Sequence, residues 1–154
     1  AWVQAYPELS ASGSLDPTNE AGYRTMDAFF GEMSKLFPDR YVHTGGDEVD
    51  YSAWARTPSI QTYMKAHGIT EVSSLQNIYT QRIHDILKKR GKTMIGWNEV
   101  LTNNQQAWMG GLAADGGVHN PGLPTDVTVQ SWLGLSSLAD ALKRGNQAVL
   151  SRGY

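Results

Sequence analysis

The sequence predicts an α/β fold in which helix-then-strand units build part of a (β/α)8 barrel. Amphipathic helical segments alternate with short apolar runs, and polar or aromatic residues follow each run. A complete barrel needs about 250 residues, whereas this chain has 154. We therefore expect residues 1–154 to be an internal segment of a single barrel domain that is incomplete at both ends, with about four βα units.

The first predicted unit is a helix over residues 21–36 followed by a strand over residues 41–44. Pro38 prevents the helix from continuing, because proline has no backbone N–H and disfavours a preceding helical residue. The apolar residues of the helix recur at a spacing close to 3.6: Tyr23, Met26, Phe29, Phe30, Met33 and Leu36. One buried helical face is therefore expected.

Two helices are predicted before the second strand. Thr57 and Pro58 have the preferences of an N-cap and a first helical position, and Gly68 would end this short helix. Ser73 or Ser74 would cap a longer one. The inward-facing residues of the longer helix are expected to be Leu75, Ile78, Tyr79, Ile83, Ile86 and Leu87.

The second half of the chain repeats this alternation. The remaining strands are predicted over residues 92–97, 126–132 and 147–151. Residues 103–124 contain Gly, Asn and Pro with little periodicity, which predicts a long surface loop. A helix starting at Ser136 or Ser137 would end at Gly145. A small open α/β sheet is the alternative fold, but the Gly-rich phosphate loop expected at its first turn is missing.

Composition narrows the possible classes of protein. The formal net charge is −2, with 40% hydrophobic and 18% charged residues, so neither nucleic acid nor an anionic membrane is suggested as a partner. The sequence has no apolar run long enough to predict a membrane span. The absence of cysteine excludes disulfides, thiolate metal sites and cysteine nucleophiles. The chain has five Trp, seven Tyr and 16 Gly. Aromatic rings on glycine-containing turns are suited to the walls of a sugar-binding site, and the alternative is that they fill a core.

The most informative stretch is residues 41–49, with the sequence YVHTGGDEV. Consecutive strand residues point to opposite faces, so Asp47 and Glu48 can serve one site only if the strand has already ended. Gly45 and Gly46 make that ending plausible. Two adjacent carboxylates in different environments can divide acid and base roles. The alternative is a turn with solvated acids.

Other predicted strands also end on candidate site residues: Trp97 with Asn98 and Glu99, Gln130 with Trp132, and Tyr154. Barrel enzymes place catalytic groups at the carboxyl ends of their strands, so these residues are expected to lie near Asp47 and Glu48. Trp97 and Trp132 are also compatible with plain core positions. The role of Glu99 is left open: it is a third catalytic acid, a carboxylate that supports another group, or a solvated loop charge.

These motifs resemble glycoside hydrolase family 20, the β-N-acetylhexosaminidases. The matching elements span nearly the whole chain and are Ala5-Tyr6-Pro7-Glu8-Leu9, the HTGGDEV run from His43, Gly96-Trp97-Asn98-Glu99, Gln130-Ser131-Trp132 and the terminal Tyr154. The resemblance implies retaining, substrate-assisted hydrolysis of a terminal β-linked N-acetylhexosamine, either N-acetylglucosamine or N-acetylgalactosamine. In that mechanism the 2-acetamido oxygen of the sugar attacks the anomeric carbon and forms an oxazolinium ion.

The resemblance also implies a role for each matching residue. Glu48 would be the general acid that protonates the glycosidic oxygen and later activates water, and Asp47 would orient the acetamido N–H. Trp97 and Trp132 would be walls around the acetamido methyl group. Tyr154 would donate a hydrogen bond to the acetamido oxygen.

Histidine adds a competing metal hypothesis. His43 is expected to support the site through hydrogen bonds, with substrate contact implied by the resemblance. The alternative is a metal-dependent barrel hydrolase using His43, Asp47 and Glu48, although these residues lack the helical spacing of H-E-x-x-H sites.

Trp108 would flank a subsite or anchor its loop. The remaining histidines are predicted at the surface or in loops: His67, His84 and His119.

The resemblance predicts no cofactor and no metal. The expected partner is an N-acetylhexosamine-containing oligosaccharide or glycoconjugate, and a periplasmic or secreted location is favoured. A substrate-binding arginine and several sugar-hydroxyl contacts of the family have no counterpart in residues 1–154, so the isolated segment is expected to be inactive. A non-catalytic carbohydrate-binding barrel with vestigial acids is the remaining alternative.

Overall fold

The computed structural model describes residues 10–11, 14–102 and 120–151. Within these ranges a parallel sheet has the strand order β3-β4-β5-β6. Its strands are β3 (Tyr41–His43), β4 (Thr93–Trp97), β5 (Thr128–Ser131) and β6 (Ala148–Leu150). A separate antiparallel pair consists of β1 (Ser10–Ala11) and β2 (Ser14–Leu15). Strands that follow one another in the chain are neighbours in the parallel sheet, which is the order that a (β/α)8 barrel requires.

One described helix precedes the first strand of the parallel sheet, and the others connect its strands. They are α1 (Glu20–Leu36), α2 (Tyr51–Arg56), α3 (Pro58–Ala66), α4 (Ser74–Lys88), α5 (Glu99–Thr102) and α6 (Leu135–Lys143). Asn19 caps α1 by accepting a hydrogen bond from the backbone N–H of Ala21 at 2.9 Å. Arg82 on α4 donates to both carboxylate oxygens of Glu20 on α1, at 2.7 Å each, and so joins the two helices.

The main core lies between the sheet and the helices. Alternate residues of the strands enter it, including Val42, Met94, Val129 and Ala148. Its buried helical side chains include Ile83, Ile86, Leu87, Val100, Leu101 and Ala141. A second cluster of Trp54, Ile60, Met64 and Leu75 holds α2 and α3 against the start of α4. The inward face predicted for α4 is confirmed.

The intervening strand residues face the other side of the sheet. This open face carries Tyr41, His43, Ile95, Trp97, Gln130 and Val149, by strand alternation and by the register of the parallel pairs. Tyr41 is 47% exposed and Val149 is 51% exposed. In a closed barrel this face would be the interior.

Element boundaries differ from the predictions by one or two residues. Strand β5 is shorter than its predicted range because only Thr128–Ser131 pairs with neighbours. Helix α6 begins at Leu135 rather than Ser136 or Ser137, after Gly134 at a φ of 135°. Ser73 occupies the N-cap position of α4, as predicted, but it has a helical backbone conformation and makes no side-chain capping hydrogen bond. Most of the long loop predicted over residues 103–124 lies outside the described residues.

The prediction of a surface position for His84 is wrong. Its side chain is 6% exposed, and Nε2 lies 2.9 Å from Oδ1 of Asp126 while Nδ1 lies 3.2 Å from Oδ1 of Asp85. Burial is tolerated because both ring nitrogens have partners. His67 is exposed at the end of α3, as predicted. His119 lies outside the described residues.

Candidate active site at the carboxyl end of the sheet

The two adjacent acids lie in a turn directly beyond β3. The backbone N–H of Thr44 donates to Ile95 O at 2.9 Å, and the backbone N–H of Trp97 donates to Gly45 O at 2.9 Å. The chain is therefore still tied to β4 when it turns. Gly45 and Gly46 then adopt positive φ angles of 73° and 96°, which glycine accepts without steric cost. The expectation that the strand ends before Asp47 is confirmed.

Helix α4 holds this turn from behind. Nε2 of Gln76 donates to Gly46 O at 2.6 Å, and the Tyr51 hydroxyl donates to Oε1 of Gln76. Gln76 is only 2% exposed, so its amide is committed to these contacts. The turn that carries the acids is thus fastened to a buried side chain, while Asp47 and Glu48 remain exposed.

The turn and β4 approach each other over the side chain of Val100. A Cβ placed on Gly96 would lie 2.6 Å from Cγ1 of Val100, and one placed on Gly46 would lie 2.7 Å from the same atom. Real Cβ atoms do not come this close to another carbon, so both positions require glycine. The two glycines let the ends of β3 and β4 close around one buried valine, which is 1% exposed.

His43 and Trp97 meet on the open face. Their ring centroids are 4.8 Å apart with an interplanar angle of 60°, an edge-to-face contact. Nδ1 of His43 accepts the backbone N–H of Gly45 at 3.1 Å. Burial lowers the pKa of His43, against the opposing effects of Asp47 and a hydrogen bond with Gln130. His43 on β3 therefore contacts the acid turn, Trp97 on β4 and Gln130 on β5.

Trp132 is held by the two residues that follow Trp97. Oδ1 of Asn98 accepts the backbone N–H of Trp132 at 3.1 Å and that of Leu133 at 3.4 Å. Nε1 of Trp132 donates to both carboxylate oxygens of Glu99, at 3.1 Å each. Asn98 is 0% exposed and Glu99 is 4% exposed. The end of β4 thus fixes the end of β5.

Glu99 is a buried acid near the two exposed ones. Burial raises the pKa of Glu99 to about 7; its own backbone N–H and Trp132 oppose the rise, and the negative charges of Asp47 and Glu48 add to it. Glu99 is therefore close enough to both acids to sense their charges. Burial also raises the pKa of the Tyr51 hydroxyl, and the charge of Glu99 contributes to that rise. The possibility that Glu99 is a solvated loop charge is excluded.

A cavity of about 380 Å³ lies behind the acid turn. Its lining includes Glu48, Trp54, Gln76, Tyr79, Met94 and Val100. Met94 faces the helices, so this cavity is on the helical side of the sheet and not on the open face with His43 and Trp97. A predicted pocket between Trp97 and Trp132 would have to form on the open face.

Three predicted features lie outside the residues that the structure describes: Tyr154, Trp108 and the segment from Ala5 to Leu9. Across residues 10–11, 14–102 and 120–151, no group of three or more His, Asp or Glu side chains is arranged to hold a metal ion. Within the same ranges no helix is both long and apolar enough to cross a bilayer.

Sequence reasoning missed the supporting contacts of Gln76, Glu99 and Val100. Gln76 follows the inward-facing Leu75 on α4, so its position beside the buried stripe was the available signal. Gly46 and Gly96 were the signal for a close approach at Val100. No local pattern announces the bond between Glu99 and Trp132, because the partners are 33 positions apart.

Comparison with known proteins agrees with this geometry. A family model described as glycosyl hydrolase family 20, catalytic domain, matches residues 1–154. The solved structure of Flavobacterium johnsoniae chitobiase superposes with a TM-score of 0.79 at 32% sequence identity, over 99% of this chain and 24% of that one. The predicted fold class, a partial (β/α)8 barrel, is confirmed.

Curated relatives show the same relationship. Beta-hexosaminidase subunit A2 of Dictyostelium discoideum is 31% identical over 159 residues, which covers 98% of this chain and 26% of that protein. Beta-hexosaminidase subunit alpha of Rattus norvegicus is 41% identical over 91 residues, which covers 59% of this chain and 17% of that protein. The chain thus spans about a quarter or less of the length of these relatives. It belongs to glycosyl hydrolase family 20, as a portion of the catalytic domain.

Proposed function

We propose that residues 1–154 form part of the catalytic barrel of a retaining β-N-acetylhexosaminidase. The enzyme would release terminal β-linked N-acetylglucosamine or N-acetylgalactosamine from an oligosaccharide or glycoconjugate, in a periplasmic or secreted location. The observation that carries this proposal is the turn with Asp47 and Glu48 at the carboxyl end of β3, beside the ends of β4 and β5. Catalytic groups of barrel enzymes lie at this end of the strands.

In the proposed mechanism the substrate supplies its own nucleophile. The acetamido oxygen attacks the anomeric carbon while Glu48 gives its proton to the departing glycosidic oxygen, and an oxazolinium ion forms. Water then attacks the same carbon, Glu48 takes up the proton, and the bond to the acetamido oxygen breaks. The β configuration is retained because the anomeric carbon is inverted twice.

Asp47 would hold the acetamido group in attack geometry. It would accept the acetamido N–H and stabilise the positive charge that develops on the oxazolinium ring. Trp97 and Trp132 would enclose the acetamido methyl group, and Tyr154 would donate to the acetamido oxygen. Holding an internal nucleophile in place can lower the barrier by about 7 to 11 kcal/mol at the upper limit.

The arrangement of the described residues supports this division of tasks. Asp47 and Glu48 are on a turn fixed by Gln76, so their positions depend on a buried helix rather than on a free loop. Trp97 and Trp132 are at the ends of adjacent strands that are joined through Asn98. The open face that carries His43 and Trp97 would be closed by further strands of a larger barrel, which we propose as the complete domain.

The first test varies the acetamido group. The full-length protein that contains this segment is assayed with an aryl N-acetyl-β-glucosaminide and with the matching aryl β-glucoside. We expect strong preference for the acetamido sugar. Glu48→Gln should lower kcat/KM by about 10²- to 10⁴-fold, the range for a lost general acid. Asp47→Asn should lower it by about 10²- to 10³-fold through lost charge stabilisation.

The alternatives give different results. Equal cleavage of both glycosides, or unchanged activity of Asp47→Asn, would indicate an ordinary two-carboxylate glycosidase. Dependence on added metal with inhibition by a chelator would indicate the metal-dependent hydrolase. Sugar binding without cleavage of either glycoside would indicate a carbohydrate-binding barrel.

A further inference from the structure

Glu99 holds the Trp132 indole with both of its carboxylate oxygens. The indole N–H of a tryptophan is a single donor, and here it lies at equal distances, 3.1 Å, from both oxygens of one carboxylate. A symmetric bond of this kind places the N–H on the axis of the carboxylate. The direction of the indole N–H is therefore set by Glu99 and not only by packing around the ring.

The neighbouring Asn98 fixes the backbone of the same tryptophan. Its Oδ1 accepts the N–H groups of Trp132 and Leu133, so the backbone and the ring are held by consecutive residues. Asn98 and Glu99 are both nearly fully buried. Since buried side chains that are hydrogen-bonded and packed have few alternative rotamers, this pair is a rigid support.

A buried carboxylate has an electrostatic cost as a support for Trp132. Burial disfavours the charge of Glu99, and Asp47 and Glu48 disfavour it further. A neutral acceptor would hold an indole N–H at lower electrostatic cost. The hydrogen bond from Trp132 opposes this effect of burial and favours the charged form of Glu99.

We propose that Glu99 is a positioning residue that fixes the Trp132 indole and thereby sets the size of the 2-acylamino group that the site accepts. This inference rests on the proposed function, because it assigns Trp132 to the wall around the acyl methyl group. A wall held at one angle leaves space for a methyl group and excludes longer chains. A wall free to rotate accepts them and holds the acetamido group less well in attack geometry.

The test compares aryl β-glycosides that differ only in the acyl chain, N-acetyl against N-butanoyl, in the full-length protein. Glu99→Leu removes both acceptor oxygens at similar volume, and Glu99→Gln keeps one. We expect the ratio of kcat/KM for N-acetyl over N-butanoyl to fall about tenfold in Glu99→Leu, which is the effect of one lost hydrogen bond to a charged acceptor. Glu99→Gln should retain most of the ratio.

A double-mutant cycle shows whether Glu99 acts through the indole. Trp132→Phe lacks the N–H, so Glu99→Leu should change the acyl-chain ratio little in that background. A fall of the same size in both backgrounds would overturn the proposal, and so would an unchanged ratio in a folded Glu99→Leu protein. A purely structural role would lower activity on both substrates equally and leave the ratio intact.

An NMR measurement of the Trp132 indole tests the proposal without measuring enzyme activity. In ¹⁵N-labelled protein the indole N–H resonance of Trp132, assigned through Trp132→Phe, should move and broaden in Glu99→Leu but remain sharp in Glu99→Gln. An unmoved resonance in Glu99→Leu would contradict the proposal. If the unsubstituted protein shows no preference for the acetamido sugar, the proposed function fails, whereas the resonance still decides whether Glu99 orients Trp132.

Discussion

Glu48 has a backbone conformation that L-residues avoid. Its φ is 49°, and among the residues that the structure describes it is the single non-glycine with a positive φ. The left-handed region costs an L-residue roughly 1 to 2 kcal/mol, because Cβ approaches the following carbonyl oxygen. Backbone strain of this kind persists only where the surroundings enforce it, here through the hydrogen bond from Gln76 to Gly46 O.

The positive φ of Glu48 predicts that glycine is more stable than alanine at this position, which is the reverse of the usual order. We expect Glu48→Gly to have a free energy of unfolding about 1 kcal/mol higher than Glu48→Ala, since glycine adopts positive φ freely. Denaturant unfolding of both variants of the full-length protein measures the difference. Glu71 is also exposed and has no positive φ, so Glu71→Ala should be more stable than Glu71→Gly. The same order at both positions would show that Glu48 is unstrained.

At the scale of elements, the contact of β4 with α5 depends on Gly96. A methyl group at this position would lie 2.6 Å from Cγ1 and 3.1 Å from Cγ2 of Val100. Val100 is β-branched and buried, so it cannot turn away. We expect Gly96→Ala to lower the free energy of unfolding by about 1 to 3 kcal/mol, the usual cost of overpacking.

Two further variants isolate this contact. Val100→Ala removes both Cγ atoms, so the double variant Gly96→Ala/Val100→Ala should lose less stability than the sum of the single changes. Gly122 is the matched control, because a Cβ there would lie 3.8 Å from Oδ1 of Asn120, an ordinary contact. If Gly96→Ala were as harmless as Gly122→Ala, or if the two effects were additive, the close approach would not limit this site.

Local patterns predicted the elements, whereas contacts between distant residues escaped them. The 3.6-residue spacing along α1 and the glycines at 45, 46 and 145 act over a few residues, and the elements they predicted are present. The predicted buried face of α1 is only partly confirmed, because Phe29 and Leu36 are 46% and 71% exposed. His84 illustrates the opposite case, because its burial depends on Asp126, 42 positions away. The pairing of Glu99 with Trp132 likewise depends on the register of β4 against β5.

On the scale of the whole molecule, the shared direction of the parallel strands explains why the candidate site residues could be expected at one edge of the sheet, whereas their surroundings could not be predicted. Parallel strands bring their carboxyl ends to one edge, so Asp47, Glu48, Trp97 and Trp132 were expected together before any contact was known. The sequence does not say which face of the sheet is covered. The helices of residues 14–102 and 120–151 lie on one face of the sheet, and the other face carries Tyr41, Trp97 and Val149.

This open face predicts self-association of residues 1–154 when they are expressed alone. Strands β3 and β6 are the outer strands of the described sheet, and Tyr41 and Val149 on them are about half exposed. Unpaired edges with apolar side chains template pairing between chains. We expect the isolated segment to elute from size-exclusion chromatography as oligomers or aggregates, and Tyr41→Lys/Val149→Lys to increase the monomer fraction, because charges on edge strands oppose pairing.

Leu135 provides the control for this effect. It is 68% exposed at the start of α6, away from the open face of the sheet, so Leu135→Lys changes charge and exposed apolar area without altering an edge. If Leu135→Lys restored the monomer as well as the edge variants do, general hydrophobicity would explain the association. If the unsubstituted segment were already monomeric, the open face would not require the remaining strands of a barrel to cover it.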